Sequence, residues 1–398
     1  MLFLAPTSAR AQGFPLWNAG GTGAIDLLGT SVATAGDADL DGVPDVIAGA
    51  TQLGFPPNFP AGTGYAEVFS GATGLPIPSL TFLGTAILGG TGQSVAGPGD
   101  FDGDGAADLV VGPMGLPQLG VFGGLSGALL FSIGAFGENL GASAAPAGDV
   151  NGDGVPDVLA GDPTGIAGRA RIYSGVNGAV LRTFVGIAPD VYLGSSVAAV
   201  GDTDGDLVPD FAAGAPFTNP GGMPLAGRAK VFSGASSALL LTVDGTAAGD
   251  QAGWSVAGPG DLNGDGLGDL AVGSPHADPG GLGDAGAARI HSGANGAVLF
   301  TFNGTAAGDE VGFSVAAAGD VDGDGAPETL VGADRAGAGT VVVAGRATPF
   351  SGATGAPLLT VLGSNAGDQL GFAVAGAGDF NGDGISDVVL GAAGASPG

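Results

Sequence analysis

One nine-residue pattern occurs seven times along this chain, and it restricts the possible folds more than any other feature. Its first copy reads Asp37-Ala38-Asp39-Leu40-Asp41-Gly42-Val43-Pro44-Asp45, with oxygen-bearing side chains at positions 1, 3, 5 and 9. The second copy places Asp100, Asp102, Asp104 and Asp108 at those positions, and the third Asp149, Asn151, Asp153 and Asp157. The fourth has Asp202, Asp204, Asp206 and Asp210, and the fifth Asp261, Asn263, Asp265 and Asp269. The sixth has Asp320, Asp322, Asp324 and Glu328, and the seventh Asp379, Asn381, Asp383 and Asp387. Successive first residues lie 63, 49, 53, 59, 59 and 59 positions apart. A near-constant period of this size marks one supersecondary unit repeated, so 398 residues make one array rather than two or three unrelated domains.

Converging oxygens suit a hard cation that takes six to eight oxygen ligands, with a backbone carbonyl expected at position 7. Glycine at position 6 permits the sharp turn at positive φ. The opening resembles an EF-hand loop, but the closing acid stands at position 9 instead of 12 and the flanks carry no helical pattern. Short β-like runs flank it instead, such as Ser255-Val-Ala before and Leu270-Ala-Val after. The pattern therefore predicts a β-hairpin loop holding calcium, with up to seven structural Ca²⁺ ions per chain. Magnesium suits it less, because it retains waters and takes fewer carboxylates. A single Asp/Asn/Gly run also fits an ordinary solvated turn; seven in register do not. The fourth loop carries Leu207 at position 6 and is expected to be the weakest.

The charge balance supports this reading. The formal net charge is −29, and 25 of the 38 acidic residues belong to the seven loops. Seven divalent ions would bring −29 to −15. So acidic a chain excludes nucleic acid as a partner, since phosphate binding needs a basic face, and disfavours an anionic membrane surface. Glycine (84) and proline (26) are abundant enough to suggest disorder, but 44% of the residues are hydrophobic and the glycines are periodic. There is no cysteine, hence no disulfide or thiolate metal site. No run of about 20 apolar residues suggests a transmembrane segment. Residues 1–11 read as the remnant of a secretory leader, with a short apolar Leu2 to Ala5 and small residues Ala9 and Ala11 before Gln12.

The rest of the unit repeats as well. Upstream stands a Gly-x-Ser-Val-Ala element (Gly253-Trp-Ser-Val-Ala, Gly312-Phe-Ser-Val-Ala, Gly371-Phe-Ala-Val-Ala), and downstream a Gly-Ala-Pro element (Gly214-Ala-Pro216, Gly273-Ser-Pro275, Gly161-Asp-Pro163). Then come Phe-Ser-Gly-like turns such as Val231-Phe-Ser-Gly234 and a last apolar run such as Leu299-Phe-Thr-Phe302. Four short strands per unit, seven times, predict an all-β, seven-bladed β-propeller of four-stranded blades. The expected blades are 30–88, 89–137, 138–190, 191–249, 250–308, 309–367 and 368–398. Residues 12–29 are expected to close the last one, which is left one strand short, within a single domain 12–398.

These units resemble FG-GAP repeats, the blades of the integrin alpha-subunit head. The resemblance runs over roughly residues 15–398. It implies that each Asp-x-Asp-x-Asp-Gly hairpin binds calcium between a blade's first two strands, with the residues named above as ligands. It also implies that the face opposite the calcium loops meets partners.

The sequence favours a secreted or cell-surface scaffold that binds a protein or glycan ligand and has no catalytic residues. Phe55-Pro-Pro-Asn-Phe59, Phe217 and Met223 are candidates for the partner-facing side. A lectin with sugars in the inter-blade clefts is the alternative; of the two tryptophans, Trp17 and Trp254, the latter reads as core. An enzyme fits poorly. His291 sits where other repeats carry Phe or Tyr, His276 has no repeated partner, and Tyr65, Tyr173 and Tyr192 are the only phenols. Arg169, Arg171, Arg228, Lys230 and Arg289, with Asp190, Asp250, Asp309 and Asp368, are expected to form salt bridges between blades.

Overall fold

Gly-rich turns between short Val/Ala/Leu runs leave the chain little choice but antiparallel meanders. The computed structural model describes residues 2–5, 17–19 and 27–395, leaving aside 53–61, 86–88, 114–117, 135–138, 187–190 and the single positions 166, 338 and 340. Apart from two three-residue turns of 3-10 helix, every regular element among these residues is a strand. The blade of Ser196–Gly201, Asp210–Ala215, Arg228–Phe232 and Leu239–Asp244 shows the plan. Each strand pairs antiparallel with the next, in registers such as Ser196↔Gly214, Ala213↔Lys230 and Arg228↔Asp244. The second strand is buried at every residue, because it lies inside its own sheet and between neighbouring blades. The fourth alternates exposed and covered positions, as an outer strand must.

Six blades consist of four strands consecutive in sequence; the remaining four-stranded sheet is composite. There Leu370–Gly378 and Asp387–Ala392 are joined by Leu2–Ala5 and then by Trp17–Ala19. The seven-bladed expectation with an incomplete last blade is thus corrected to six continuous blades plus a complete four-stranded sheet drawn from both ends of the chain. That sheet gains the strand that residues 12–29 could not supply: Leu2–Ala5 pairs with Val388–Gly391. Strand pairing rewards any extended segment that meets an unpaired edge, so a stretch with the composition of a leader also serves as a strand.

The core lies between blades rather than within them. Ile47, Val68 and Phe82 of the first blade pack with Val95, Leu109 and Phe122 of the second. Five further clusters fill the following interfaces. The last joins Ala377, Phe380 and Val389 to Leu28, Val46 and Phe69, so the composite sheet packs on the first blade and the ring closes. Aromatic pairs cross several seams, including Phe184 on Phe232 (centroids 5.1 Å apart) and Phe302 on Phe350 (3.9 Å). Each fully buried Phe or Leu contributes about 1.5–3 kcal/mol, and here that energy ties one blade to the next.

A polar clasp runs along the inner edge of the same seams. The serine of each Gly-x-Ser element donates to the carbonyl of the corresponding glycine one blade on: Ser31 to Gly92 (2.7 Å), Ser94 to Gly141 (2.8 Å), Ser143 to Gly194 (3.0 Å). Ser196, Ser255 and Ser314 do the same to Gly253, Gly312 and Gly371. The glycine of the Gly-Ala-Pro element makes room for it: a Cβ on Gly214 would lie 1.9 Å from the Gly253 oxygen. The last blade has Ala373 in place of the serine. It approaches the first blade as closely, with a Gly391 Cβ falling 2.2 Å from the Gly29 oxygen, but has no hydroxyl to donate.

Candidate metal centre and the opposite face

In every blade the nine-residue loop joins the first strand to the second, and side chains of the loop hold its backbone in a fixed set of turns. The position 1 carboxylate accepts the amide of position 6 in all seven loops, from Gly42→Asp37 (3.0 Å) to Gly384→Asp379 (2.8 Å). Position 3 accepts the amide of position 5. Position 5 accepts the amide of position 7. The last two sets are successive Asx turns, and with the longer position 1 bond they gather the side-chain oxygens on one side of the loop.

Position 9 is different. Asp45, Asp108, Asp157, Asp210, Asp269, Glu328 and Asp387 are all buried. Each accepts the amide of position 2 of its own loop, as in Thr203→Asp210 (2.7 Å). In the six continuous blades its second oxygen accepts a glycine amide of the turn between strands three and four, a Ser-Gly turn in five of them and Gly123-Gly124 in the second, as in Gly71→Asp45 (3.0 Å) and Gly175→Asp157 (3.0 Å). The residue thus staples two hairpins. Burial, reinforced by the neighbouring loop acids, pushes Asp45 and Asp387 up to about 6 and Glu328 up to about 7. Asp108, Asp157, Asp210 and Asp269 shift upward for the same reasons. Asp149 at position 1 moves the other way, because the Gly154 amide stabilises its charge.

Carboxylate oxygens of Asp37, Asp39 and Asp41 lie within 4.8 Å of one another, as do those of Asp202, Asp204 and Asp206. Asp100, Asp102 and Asp108 converge equally, and so do Asp320, Asp322 and Glu328, two clusters that include the buried position 9. The other three loops carry asparagine at position 3. In two of them its amide nitrogen turns to the position 5 carboxylate, Asn151 to Asp153 (2.8 Å) and Asn263 to Asp265 (2.9 Å). A set made only of oxygens, with several negative charges crowded together, matches the donor preference of calcium.

Leu207 at position 6 adopts φ +70° and is 90% exposed, in the left-handed backbone that glycine occupies at this position in the other six loops. A second departure escapes a reading fixed on position 6. Position 4 also takes positive φ, and the first loop fills it with Leu40 (φ +62°) where the other six have glycine.

The first strands run from the opposite face towards these loops, so the residue after the glycine of each Gly-x-Ser element stands at the far mouth of the central channel. Trp254 lines a cavity there instead of filling a core, which corrects the sequence reading. Phe217 lines the same cavity, while Met223 follows the 3-10 turn Pro220–Gly222. The 55–59 stretch and Asp190 lie outside the described residues. His276 stands edge-on to Trp254 (6.0 Å) with Nδ1 3.2 Å from Asp284. His291 is a buried strand residue paired with Leu270, its Nδ1 3.1 Å from the Gly296 oxygen; burial lowers its pKa.

Two of the cations expected to bridge blades find partners within their own blade. Arg169 pairs with Asp162 and Arg228 with Asp244, in both cases on neighbouring strands of one blade. Asp250, Asp309 and Asp368 close local turns by accepting amides of residues 246–247, 305–306 and 364–365, and Asp309 also meets Arg346 (3.1 Å). The recurring acid is a turn cap first.

Residues 252–291 match the FG-GAP repeat family. Over 124 residues, 30% of this chain, the sequence is 34% identical to integrin alpha-IIb of Homo sapiens and 36% identical to integrin alpha-IIb of Mus musculus. The matched stretch is 12% of each relative's length. Among the described residues no helix is long and apolar enough to cross a membrane. The chain is thus a β-propeller of four-stranded sheets that contains a segment matching the FG-GAP repeat and is similar, over 30% of its length, to integrin alpha-IIb.

Proposed function

We propose that the protein is an exported binding scaffold whose loops hold up to seven calcium ions and whose opposite face presents side chains to a protein ligand. The observation that carries the metal reading is the convergence of three carboxylates in each of four loops. Positions 1, 3, 5 and 9 would hold the ion, and calcium, when bound, supplies the positive charge that offsets their mutual repulsion. The Asx turns hold the oxygens together in advance, and the position 9 staple transmits order from the loop to the next hairpin of the blade. The scaffold reading and the export reading both rest on similarity to integrin alpha-IIb.

Metal analysis combined with thermal unfolding tests the proposal. Purified protein should retain calcium, and saturation at 100 times Kd should add about 2.7 kcal/mol per site that binds only the folded state. Metal-free protein with the same melting temperature in calcium and in chelator would refute it.

A further inference from the structure

We infer that the mouth of the central channel, on the face away from the acidic loops, is a binding site for a neutral pyranose sugar. The inference goes beyond the scaffold reading and needs no metal in the loops.

The seven residues that follow the glycine of the Gly-x-Ser element are equivalent by repeat, and all seven line one cavity of about 500 Å³. They are not equivalent in chemistry. The first four blades contribute Thr30, Gln93, Ala142 and Ser195; the last three contribute Trp254, Phe313 and Phe372. One arc of the rim is therefore small and polar, and the arc facing it is aromatic. Thr51 adds a hydroxyl to the first and Phe217 a ring to the second. The volume is that of a small-molecule site and admits a mono- or disaccharide.

The aromatic arc is held in place. Trp254 stands edge-on to Phe217 (centroids 6.2 Å, 83°) and to His276 (6.0 Å, 79°), and tilts against Phe313 (5.6 Å). Phe313 in turn packs on Phe372 (4.9 Å). The polar arc offers both hydrogen-bonding roles. Thr30 Oγ1 donates to the Gly49 carbonyl and accepts from the Thr51 amide (3.4 Å), and Ser195 Oγ donates to the Tyr192 carbonyl, which leaves each oxygen further acceptor capacity. The Gln93 amide carries a donor and an acceptor.

The ligand class follows from what this lining lacks as well as what it has. Among the described residues no charged side chain lines the cavity, so nothing in it neutralises an ionic ligand. A purely apolar ligand would leave the Gln93 amide and the remaining acceptor capacity of the hydroxyls unused. A pyranose meets both arcs: its C–H face lies on an aromatic ring while its hydroxyl edge reaches donors and acceptors.

The test uses the full chain in calcium-containing buffer. Tryptophan fluorescence and calorimetry follow titration with methyl mannoside, methyl galactoside, methyl fucoside and N-acetylglucosamine, and with N-acetyl-arginine amide as a cationic probe, at low and high salt. At least one neutral sugar should saturate one site with a Kd of about 1 mM or tighter, independently of salt. Trp254→Ala should weaken binding by about tenfold or more. Gln93→Ala should weaken it while leaving the circular dichroism spectrum unchanged, and this variant decides the matter if Trp254→Ala does not fold. No saturable binding by any of the four sugars overturns the inference. So does tighter binding of the arginine amide than of any sugar, or a sugar affinity that neither variant alters.

Discussion

Ser196 Oγ donates to the Gly253 carbonyl, 3.0 Å away and 57 residues along the chain, across the seam between two blades. The serine lies in one Gly-x-Ser element and its acceptor is the glycine of the next, so the five middle repeats are both donor and receiver, the first only a donor and the last only a receiver. A neutral hydrogen bond of this kind contributes about 1 kcal/mol. Ser196→Ala should therefore destabilise the ring by about 1 kcal/mol in denaturant unfolding, and Ala373→Ser should stabilise it by a similar amount through a contact to Gly29. If Ala373→Ser leaves stability unchanged while Ser196→Ala lowers it, the seam at the last blade is not equivalent to the others.

Leu207 and Leu40 hold left-handed backbone with side chains largely in solvent. Such a conformation costs a non-glycine residue about 1 kcal/mol. Leu207→Gly and Leu40→Gly should each stabilise the fold by about 0.5–1 kcal/mol, less than the full strain because glycine loses more entropy on folding. Loss of stability in either variant would show that the leucine side chain makes contacts worth more than the strain.

The position 9 acid and the loop acids should separate by mutation. Asp157 accepts amides of Val150 and Gly175 from a buried site, so Asp157→Asn places an NH2 group against one of those donors. A cost of about 1–3 kcal/mol is expected in chelator as well as in calcium. Asp104→Asn leaves the side-chain oxygen that accepts the Ala106 amide and should lower stability chiefly when calcium is present. Equal losses for the two variants in chelator would contradict this division.

Carboxyl groups raised to about 6 in Asp45 and Asp387, and to about 7 in Glu328, make metal-free stability depend on pH. Their unfolded values lie near 4, so between pH 4 and 7 the folded chain binds more protons than the unfolded one. This contribution is fully present below the unfolded values and is lost as pH rises through the folded ones. In chelator the melting temperature should be higher at pH 5 than at pH 8. The increment produced by calcium should run in the opposite sense, larger at pH 8, since protons and metal compete for the same oxygens. A calcium increment that does not change with pH would exclude that competition.

Much of the architecture was legible because the informative residues are local. Position 9 to position 1 is a distance of eight residues, so the loop and its flanking strands could be read from one short window. What needed the structure was relational. Trp254 reads as one more apolar residue of a repeat until six equivalent positions from other blades gather around the same opening. Ser196 and Gly253 look like strand composition until the seam brings them together. The turn-capping role of Asp309 could not be read, because sequence shows the recurrence of an acid but not the amides pointing at it. The pairing of Leu2–Ala5 with Val388–Gly391 spans nearly the whole chain, and no local pattern announces it.

The alanine at 373 has a kinetic consequence. Six seams are pinned by a serine and one is not, so thermal breathing has a preferred starting point. Fluctuations that part the inner strands should begin where Leu370–Gly378 faces Leu28–Gly36, and deuterium should enter there before it reaches the seams on the far side of the ring.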